Sequence, residues 1–470
     1  MQSENGLLSV PMLKSSLKGI RNTGYLWSHS IVSYIEQGMA AGSGCVTSLL
    51  LNKLLHRTTT ISKISLRTMR DLVKRNGEKY QSNQVSWADS VLEEHGWNPV
   101  TALPYTEKAP GKEAGSSWLS CGNVLANAEE KALIDQMVED INSRRLSNEQ
   151  IPSNSMKPYQ VEPDDSLTIK VSLDGVSAKR QKDKRPKGKP DCEPYFKTDK
   201  YDGPADYSRA PDPKKRPKVE TSVAVIEVGQ MKYTFSARNM FEACKLVLAF
   251  LLFHNLLEDR NIVFFVDGGK DIRKCINDIF SFCTHHVILD WFHLKKHCLE
   301  GLSMALYGGK SNREMQYTVR RELFHILWSG NTEGAIAYLK SLGSDKVKNE
   351  SRLNEIITYL RNKDPEIACY AIRQRLGLRI SSNRVEKAND LTVANRQKGK
   401  GMSWSRQGSW ALASITTMYL NHEANHWHRN ETISKTTVVP CTFKNLLRIY
   451  YFCKGTRYHC VITAEWNVRQ

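Results

Sequence analysis

Three apolar runs in this chain each stop at an aspartate, and that recurrence narrows the possible folds more than any other feature. In Leu167-Thr168-Ile169-Lys170-Val171-Ser172-Leu173-Asp174-Gly175 the odd positions are apolar and the even ones polar. The carboxylate sits on the polar side, just before a glycine. This is the pattern of a half-buried strand ending in an acid. Ile262-Val263-Phe264-Phe265-Val266-Asp267-Gly268-Gly269 and Val287-Ile288-Leu289-Asp290 end the same way. Parallel strands present their carboxyl ends along one edge of a sheet, so acids at those ends can converge on one site.

The stretches between these runs read as helices. Residues 239–257 carry Phe241, Cys244, Leu248, Leu251 and Leu252 on one side, and 271–282 place Ile272, Cys275, Ile276, Ile279 and Phe280 at helical spacing. The second of these joins two runs into a strand, helix, strand unit. Residues 294–379 are almost wholly helical, with breaks at Gly308-Gly309, Ser329-Gly330 and Gly343-Ser344. A further helix starts near Ser382 and carries Glu386, and another runs from about 407 to 422. The expectation is an α/β fold: a mixed sheet flanked by helices and interrupted by an all-helical insertion.

Upstream, residues 66–76 form a basic amphipathic helix with Ser65 as N-cap and Gly77 as its stop. Leu66, Met69, Leu72 and Val73 share one side, while Arg67, Arg70, Lys74 and Arg75 occupy others. With a preceding helix near 45–56, a helix-turn-helix that contacts DNA is one reading. The domain division that follows is a helical N-terminal region at 1–100 and a linker with a helix at 101–164. The first part of the sheet domain takes 165–293, the helical insertion 294–380, the completion of the sheet domain 381–430, and a tail of unassigned role 431–470.

Charge points to the partner. The 67 Lys and Arg exceed the 49 Asp and Glu, for a net charge of +18, which suggests a polyanion, nucleic acid before membrane. Residues 179–218 hold 14 basic and 7 acidic residues and almost nothing aliphatic, so they read as a mobile basic loop interrupting a hairpin. Lys184, Arg185, Lys187, Lys214, Lys215 and Arg216 are its candidate phosphate contacts. The run from Pro213 to Val219 also has the character of a nuclear-import signal. No secretory signal is visible at the N-terminus, and the most apolar stretch, 246–257, is too short to span a bilayer. The eleven cysteines lack paired spacing. Together these imply a protein of the reducing cytoplasm, associated with the nucleoid in a bacterium or nuclear in a eukaryote.

Phosphodiester transfer needs an in-line nucleophile and stabilisation of charge on the leaving oxygen. Two divalent ions do both, and carboxylates are their natural ligands. Asp174, Asp267 and Glu386 supply such a set, although a lone Asp-Gly more often marks a turn. Arg396, Lys398 and Lys400 precede Trp404, a basic strip meeting an aromatic, which can hold a phosphate backbone and stack a base. A capped loop around a core tryptophan has the same composition. His293 and His297 lie at i and i+4 without the glutamate of the zinc-protease pattern, and neither phosphate-binding glycine pattern is present. Cys441, Cys453, His459 and Cys460 fit no zinc-finger spacing.

The succession Leu173-Asp174-Gly175, Val266-Asp267-Gly268-Gly269, Leu289-Asp290-Trp291-Phe292-His293-Leu294-Lys295-Lys296-His297, Asn383-Arg384-Val385-Glu386-Lys387-Ala388-Asn389 and Gly401-Met402-Ser403-Trp404-Ser405 resembles insertion-sequence transposases of the DDE type. The closest likeness is to bacterial families allied to the Mutator-like group, over most of residues 165–430. The resemblance implies an RNase H-like domain broken by a helical insertion before the final acid, with Mg2+ or Mn2+, two ions, as cofactor. It also implies nicking of transposon ends and joining of the freed 3′ hydroxyl to target DNA by a homo-oligomer. Asp174, Asp267 and Glu386 match the three catalytic, metal-holding acids. Mutator-like enzymes often carry Cys-x-x-His where this chain has Asp290-x-x-His293, so these two are auxiliary candidates and Asp290 rivals Asp267 as second acid. Two other functions fit the same residues: a catalytically silent DNA-binding relative, and an RNase H-like nuclease without joining.

Overall fold

The computed structural model describes residues 29–42, 44–58, 64–105, 168–181, 217–229, 231–257, 261–283, 285–375, 377–399 and 401–433, with a few isolated positions before 168. Its centre is a five-stranded mixed sheet. The strands are β1 (Thr168–Lys179), β2 (Lys218–Val228), β3 (Met231–Ala237), β4 (Asn261–Val266) and β5 (His285–Leu289), in the spatial order β3-β2-β1-β4-β5. β1 to β3 form an antiparallel meander, while β4 pairs parallel with β1 and β5 parallel with β4.

Helices line both faces. The N-terminal α1 (His29–Ala41), α2 (Gly44–Thr58) and α3 (Leu66–Glu94) come first. Next are α4 (Met240–Phe253) and α5 (Lys270–Ile279). Then follow the five helices of the insertion: α6 (Trp291–Ala305), α7 (Arg313–Trp328), α8 (Thr332–Lys340), α9 (Glu350–Lys363) and α10 (Tyr370–Arg375). α11 (Asn383–Asn389) continues through a π-helical turn, Asp390–Ala394, into the short α12 (Asn395–Gln397), and α13 (Arg406–Leu420) and α14 (Ala424–Asn430) complete the described chain.

Ile169, Val171, Leu173, Phe264 and Val266 pack with α4, α5 and the end of α3 in one core. α4 forms because its run of Leu, Val and Ala has strong helix formers and a true cap, Asn239, whose side chain accepts from the Glu242 amide at 2.8 Å. Val263, Phe265, Ile288 and Leu289 face the insertion, and Val176, Ala178, Val223 and Val225 face α11 and α13. Each fully buried aliphatic or aromatic side chain contributes roughly 1.5–3 kcal/mol, so the sheet is held from both sides.

Three sequence expectations change here. First, β1 does not end at Asp174: it runs five residues further, because β2 pairs with it from Ile169↔Val228 to Lys179↔Lys218. Only its parallel ladder stops early, at Ser172↔Phe265. Second, the polar side of β1 is not solvated, since Ser172 is fully buried. A sheet with parallel strands is covered on both faces.

Third, Gly77 does not stop a helix. α3 starts at the expected Ser65 cap, which accepts from the Thr68 amide at 3.1 Å, and continues through Gly77 to Glu94. A Cβ on Gly77 would stand 2.3 Å from the Ala411 carbonyl oxygen, so the glycine is there to let α3 and α13 touch. α3 thereby shares its cores with the sheet and with α13 and α14, across the boundary expected at residue 100. Asp89 on α3 also pairs with Lys245 on α4.

The ends of the 179–218 loop lie side by side on β1 and β2, as a hairpin requires. Lys184, Arg185, Lys187, Lys214, Lys215, Arg216 and Lys400 lie outside the described residues, as do nearly all of 106–167 and the tail from 434. No helix among the described residues is long and apolar enough to cross a membrane.

Candidate metal centre

The sheet edge where the parallel ladders end gathers the acids. Asp174 stands two residues beyond the last β1–β4 pair, and Asp267 directly follows β4. Asp290 directly follows β5, with its amide donating to the Val266 carbonyl at 2.8 Å. Glu386 arrives from the opposite direction, on α11, which packs Val385 and Ala388 against Val176 and Ala178 of β1.

Asp174 is the electrostatic centre. Burial, then the charge of Asp267, pushes its carboxyl up from 3.8 to about 6, and Glu386 adds to the rise. The Gly175 amide and His293 act against it. One oxygen, Oδ1, accepts from the Gly175 amide at 2.6 Å, and the other, Oδ2, accepts from Asn389 Nδ2 at 2.7 Å. Asp267 is held by its own turn, in which Oδ1 accepts from the Gly269 amide at 2.8 Å. Gly268 makes that turn possible: its φ is +91°, and a Cβ there would meet Leu289 Cδ1 at 2.8 Å. The side chain of Glu386 is half exposed and therefore free to turn toward a ligand.

Asp290 differs in kind. It is 1% exposed and caps α6, accepting from the His293 amide at 2.8 Å through Oδ1. His293 Nδ1 lies 3.1 Å from the same oxygen, and Oδ2 accepts from the Ser382 amide at 2.6 Å and its hydroxyl at 3.2 Å. Burial pushes this carboxyl up, but the bonds from His293 and Ser382 outweigh it and hold it below the usual range. Asp290 thus ties the start of the insertion helix to the start of α11. His293 is held above the usual histidine range, first by its bond to Asp290, with Asp267 and Glu386 assisting. Its Nδ1 is 3.8 Å from Glu386 Oε1.

Two sets of ligand atoms therefore overlap at Glu386. Asp290, His293 and Glu386 offer atoms within 4.8 Å of one another. Both oxygens of Asp290 and both of Asp174 already accept hydrogen bonds; what sets Asp174 apart is its crowding by Asp267, a cost that a cation removes. Asp174, Asp267 and Glu386 form a second, looser group, linked by charge rather than by ligand atoms that all lie within 4.8 Å of one another. All are hard oxygen donors, suited to Mg2+ or Mn2+.

Other candidates fall elsewhere. His297 stacks on Tyr359 of α9 at 3.7 Å between centroids and takes no part with His293. Arg396 corrects an expected DNA contact. It is buried, its Nε donates to the Met39 carbonyl at 2.8 Å, and its guanidinium lies over the Trp404 ring at 5.1 Å. Trp404 is half-buried and extends the sheet, its amide donating to the Lys179 carbonyl and its own carbonyl accepting from Gln181, while the buried Arg396 is not placed to grip a backbone. Lys398 is exposed, as are Arg67, Arg70 and Arg75, and Lys74 is half-buried. Arg67 and Lys74 pair along α3 with Asp71 and Glu78 at 4.0 and 3.7 Å.

Sequence reasoning missed a further buried acid. Glu423 accepts from the hydroxyls of Tyr80 on α3 and Tyr233 on β3, the latter at 2.5 Å. Burial pushes it up from 4.5 to about 7. Nothing local marks Glu423, since its partners are 343 and 190 residues away. No protein-family model matches the chain, and no curated protein matches it in sequence.

Proposed function

We propose that this chain is a transposase of the DDE type, which cuts the ends of a mobile element and joins the freed 3′ hydroxyl to target DNA. What supports the reading is that the charges of Asp267 and Glu386 both act on Asp174, although the three are separated by 93 and 119 positions in sequence. The strand order β3-β2-β1-β4-β5 supports an RNase H-like domain. So do the positions of the acids: the first on the central strand, the second after the fourth strand, and the third on the helix that follows an all-helical insertion.

Asp174, Asp267 and Glu386 would hold one or two Mg2+ or Mn2+ ions, which when bound polarise the phosphodiester and stabilise the leaving oxygen. The residues around them shape the site. Asp290 fixes the α6 N-terminus and favours the protonated form of His293 beside Glu386, the form that can donate to a phosphate oxygen at the rim. The surplus of 18 positive charges over the whole chain favours approach of a polyanion, and the exposed Arg67, Arg70, Arg75 and Lys398 are among the described cations that could meet phosphates. Two DNA ends must be paired in this reaction, so the working unit is a homo-oligomer on DNA.

The test is strand cleavage and joining on duplexes carrying the element's own ends, with Mg2+ or Mn2+. Asp174→Ala, Asp267→Ala and Glu386→Ala should each abolish both products and leave salt-sensitive duplex binding intact. Full activity in all three variants would refute the site. Cleavage without joining would identify a nuclease, and binding without any metal-dependent product would identify a silent relative.

A further inference from the structure

We propose that Asn389 is a positioning residue for the metal centre, the side chain that holds the Asp174 carboxylate in its cation-binding orientation. The inference rests on the metal-dependent reading above. Asn389 lies one helical turn after Glu386 on α11, is 6% exposed, and donates from Nδ2 to Asp174 Oδ2 at 2.7 Å. Its own Oδ1 is buried with no hydrogen-bond partner among the described residues.

A buried, unsatisfied amide oxygen costs stability, and the packing around it needs no polar group. Val385 and Ala388 already seat α11 on β1. An apolar residue at 389 would fill the same space but leave Asp174 Oδ2 without this donor, so what distinguishes the amide is what its other end does.

What that end does follows from charge. Asp174 is pressed by Asp267 and Glu386, and a carboxylate so placed lowers its energy by rotating away from its neighbours. Two donors prevent the rotation: the Gly175 amide on Oδ1 and Asn389 on Oδ2. A neutral donor suits the task. Lysine or arginine at this place would hold the carboxylate equally well but would cancel its charge, and so compete with the cation.

The same side chain also sets spacing. Because Asn389 and Glu386 share α11, the bond to Asp174 fixes how far the backbone of Glu386 stands from the aspartates. The π-helical turn begins at the next residue, Asp390, and such turns recur at functional sites because they re-aim side chains.

The test is calorimetric titration of Mn2+ into full-length wild type, Asp174→Ala, Asn389→Ala and Asn389→Leu, with melting temperatures in metal-free buffer. Leucine keeps the volume without the donor, so it covers the case in which the alanine variant fails to fold. The expected result is a folded, cooperatively melting Asn389→Leu in metal-free buffer, with Mn2+ bound about tenfold more weakly, the lower end of what partners of metal ligands contribute. DNA binding should be unchanged. Wild-type Mn2+ affinity in a folded Asn389 variant, with Asp174→Ala losing it, overturns the positioning role alone. Failure of wild type to bind Mn2+, or equal binding by Asp174→Ala, overturns the metal centre and this role with it.

Discussion

Replacing Asp174 by asparagine should make the metal-free protein more stable, although it removes a residue proposed to be essential. The folded protein holds this carboxyl at about 6 against an ordinary 3.8, chiefly through burial and then through Asp267. A raised value means that the stability it contributes is fully present below pH 3.8 and is lost as pH rises through 6. At ~1.36 kcal/mol per pH unit, the full loss is about 3 kcal/mol. Solvent access to the partly exposed side chain brings this nearer to roughly 1–2 kcal/mol. The shape is conserved, and the asparagine carbonyl still accepts one of the two bonds from Gly175 and Asn389. Thermal melts in chelator from pH 4.5 to 8 should therefore show variant and wild type close together at the acid end, with the variant ahead above pH 6.5. Millimolar Mg2+ should then raise the wild-type melting temperature and leave the variant's unchanged, since a ligand stabilises only the state that binds it. A flat difference across the pH range, or equal stabilisation by Mg2+, would show that the acids are not crowded into one centre.

Asp290→Ala should do the reverse, costing about 2–4 kcal/mol in chelator because it strands the buried amides of His293 and Ser382; denaturant melts that show no loss would deny it the structural role. Glu423→Gln should stabilise the protein increasingly from pH 5 to pH 8. Its carboxyl is raised to about 7, so its favourable share is present below pH 4.5 and lost through pH 7, about 3 kcal/mol at most; pH-resolved melts that run parallel would contradict this. Gly77→Ala sets two effects against each other: helix propensity favours alanine by ~1 kcal/mol, but the 2.3 Å approach to the Ala411 carbonyl forces α3 off α13 at roughly 1–3 kcal/mol. Net destabilisation by urea titration is expected, and a stabilised variant would mean the helices are not in contact.

The parts of the fold legible in sequence are those with local causes. Alternation marks β1, and apolar runs that stop at an aspartate mark β4 and β5; the insertion's helices announce themselves by period and by their glycine breaks; Ser65 caps as its type suggests. What misled were residues whose role is set at long range. Gly77 has the local meaning of a stop and the tertiary meaning of a contact. Arg396 beside Trp404 has one composition for a phosphate strip and for a buried cation–π pair, and only the Met39 carbonyl decides between them. Asn389 carried no signal, because its partner Asp174 is 215 residues away, and the π-helical turn after it breaks a period too short to read. Asp290 rivalled Asp267 in sequence as a strand-end acid. They part company in three dimensions, where both oxygens of Asp290 are taken by backbone and side-chain donors.

The most direct measurement is the anomalous scattering of Mn2+ in crystals of the protein with a DNA end. Manganese bound by Asp174, Asp267 and Glu386 is the expected result. Manganese held by Asp290 and His293 with the two other aspartates unligated, or no ordered manganese at this edge of the sheet, would contradict it.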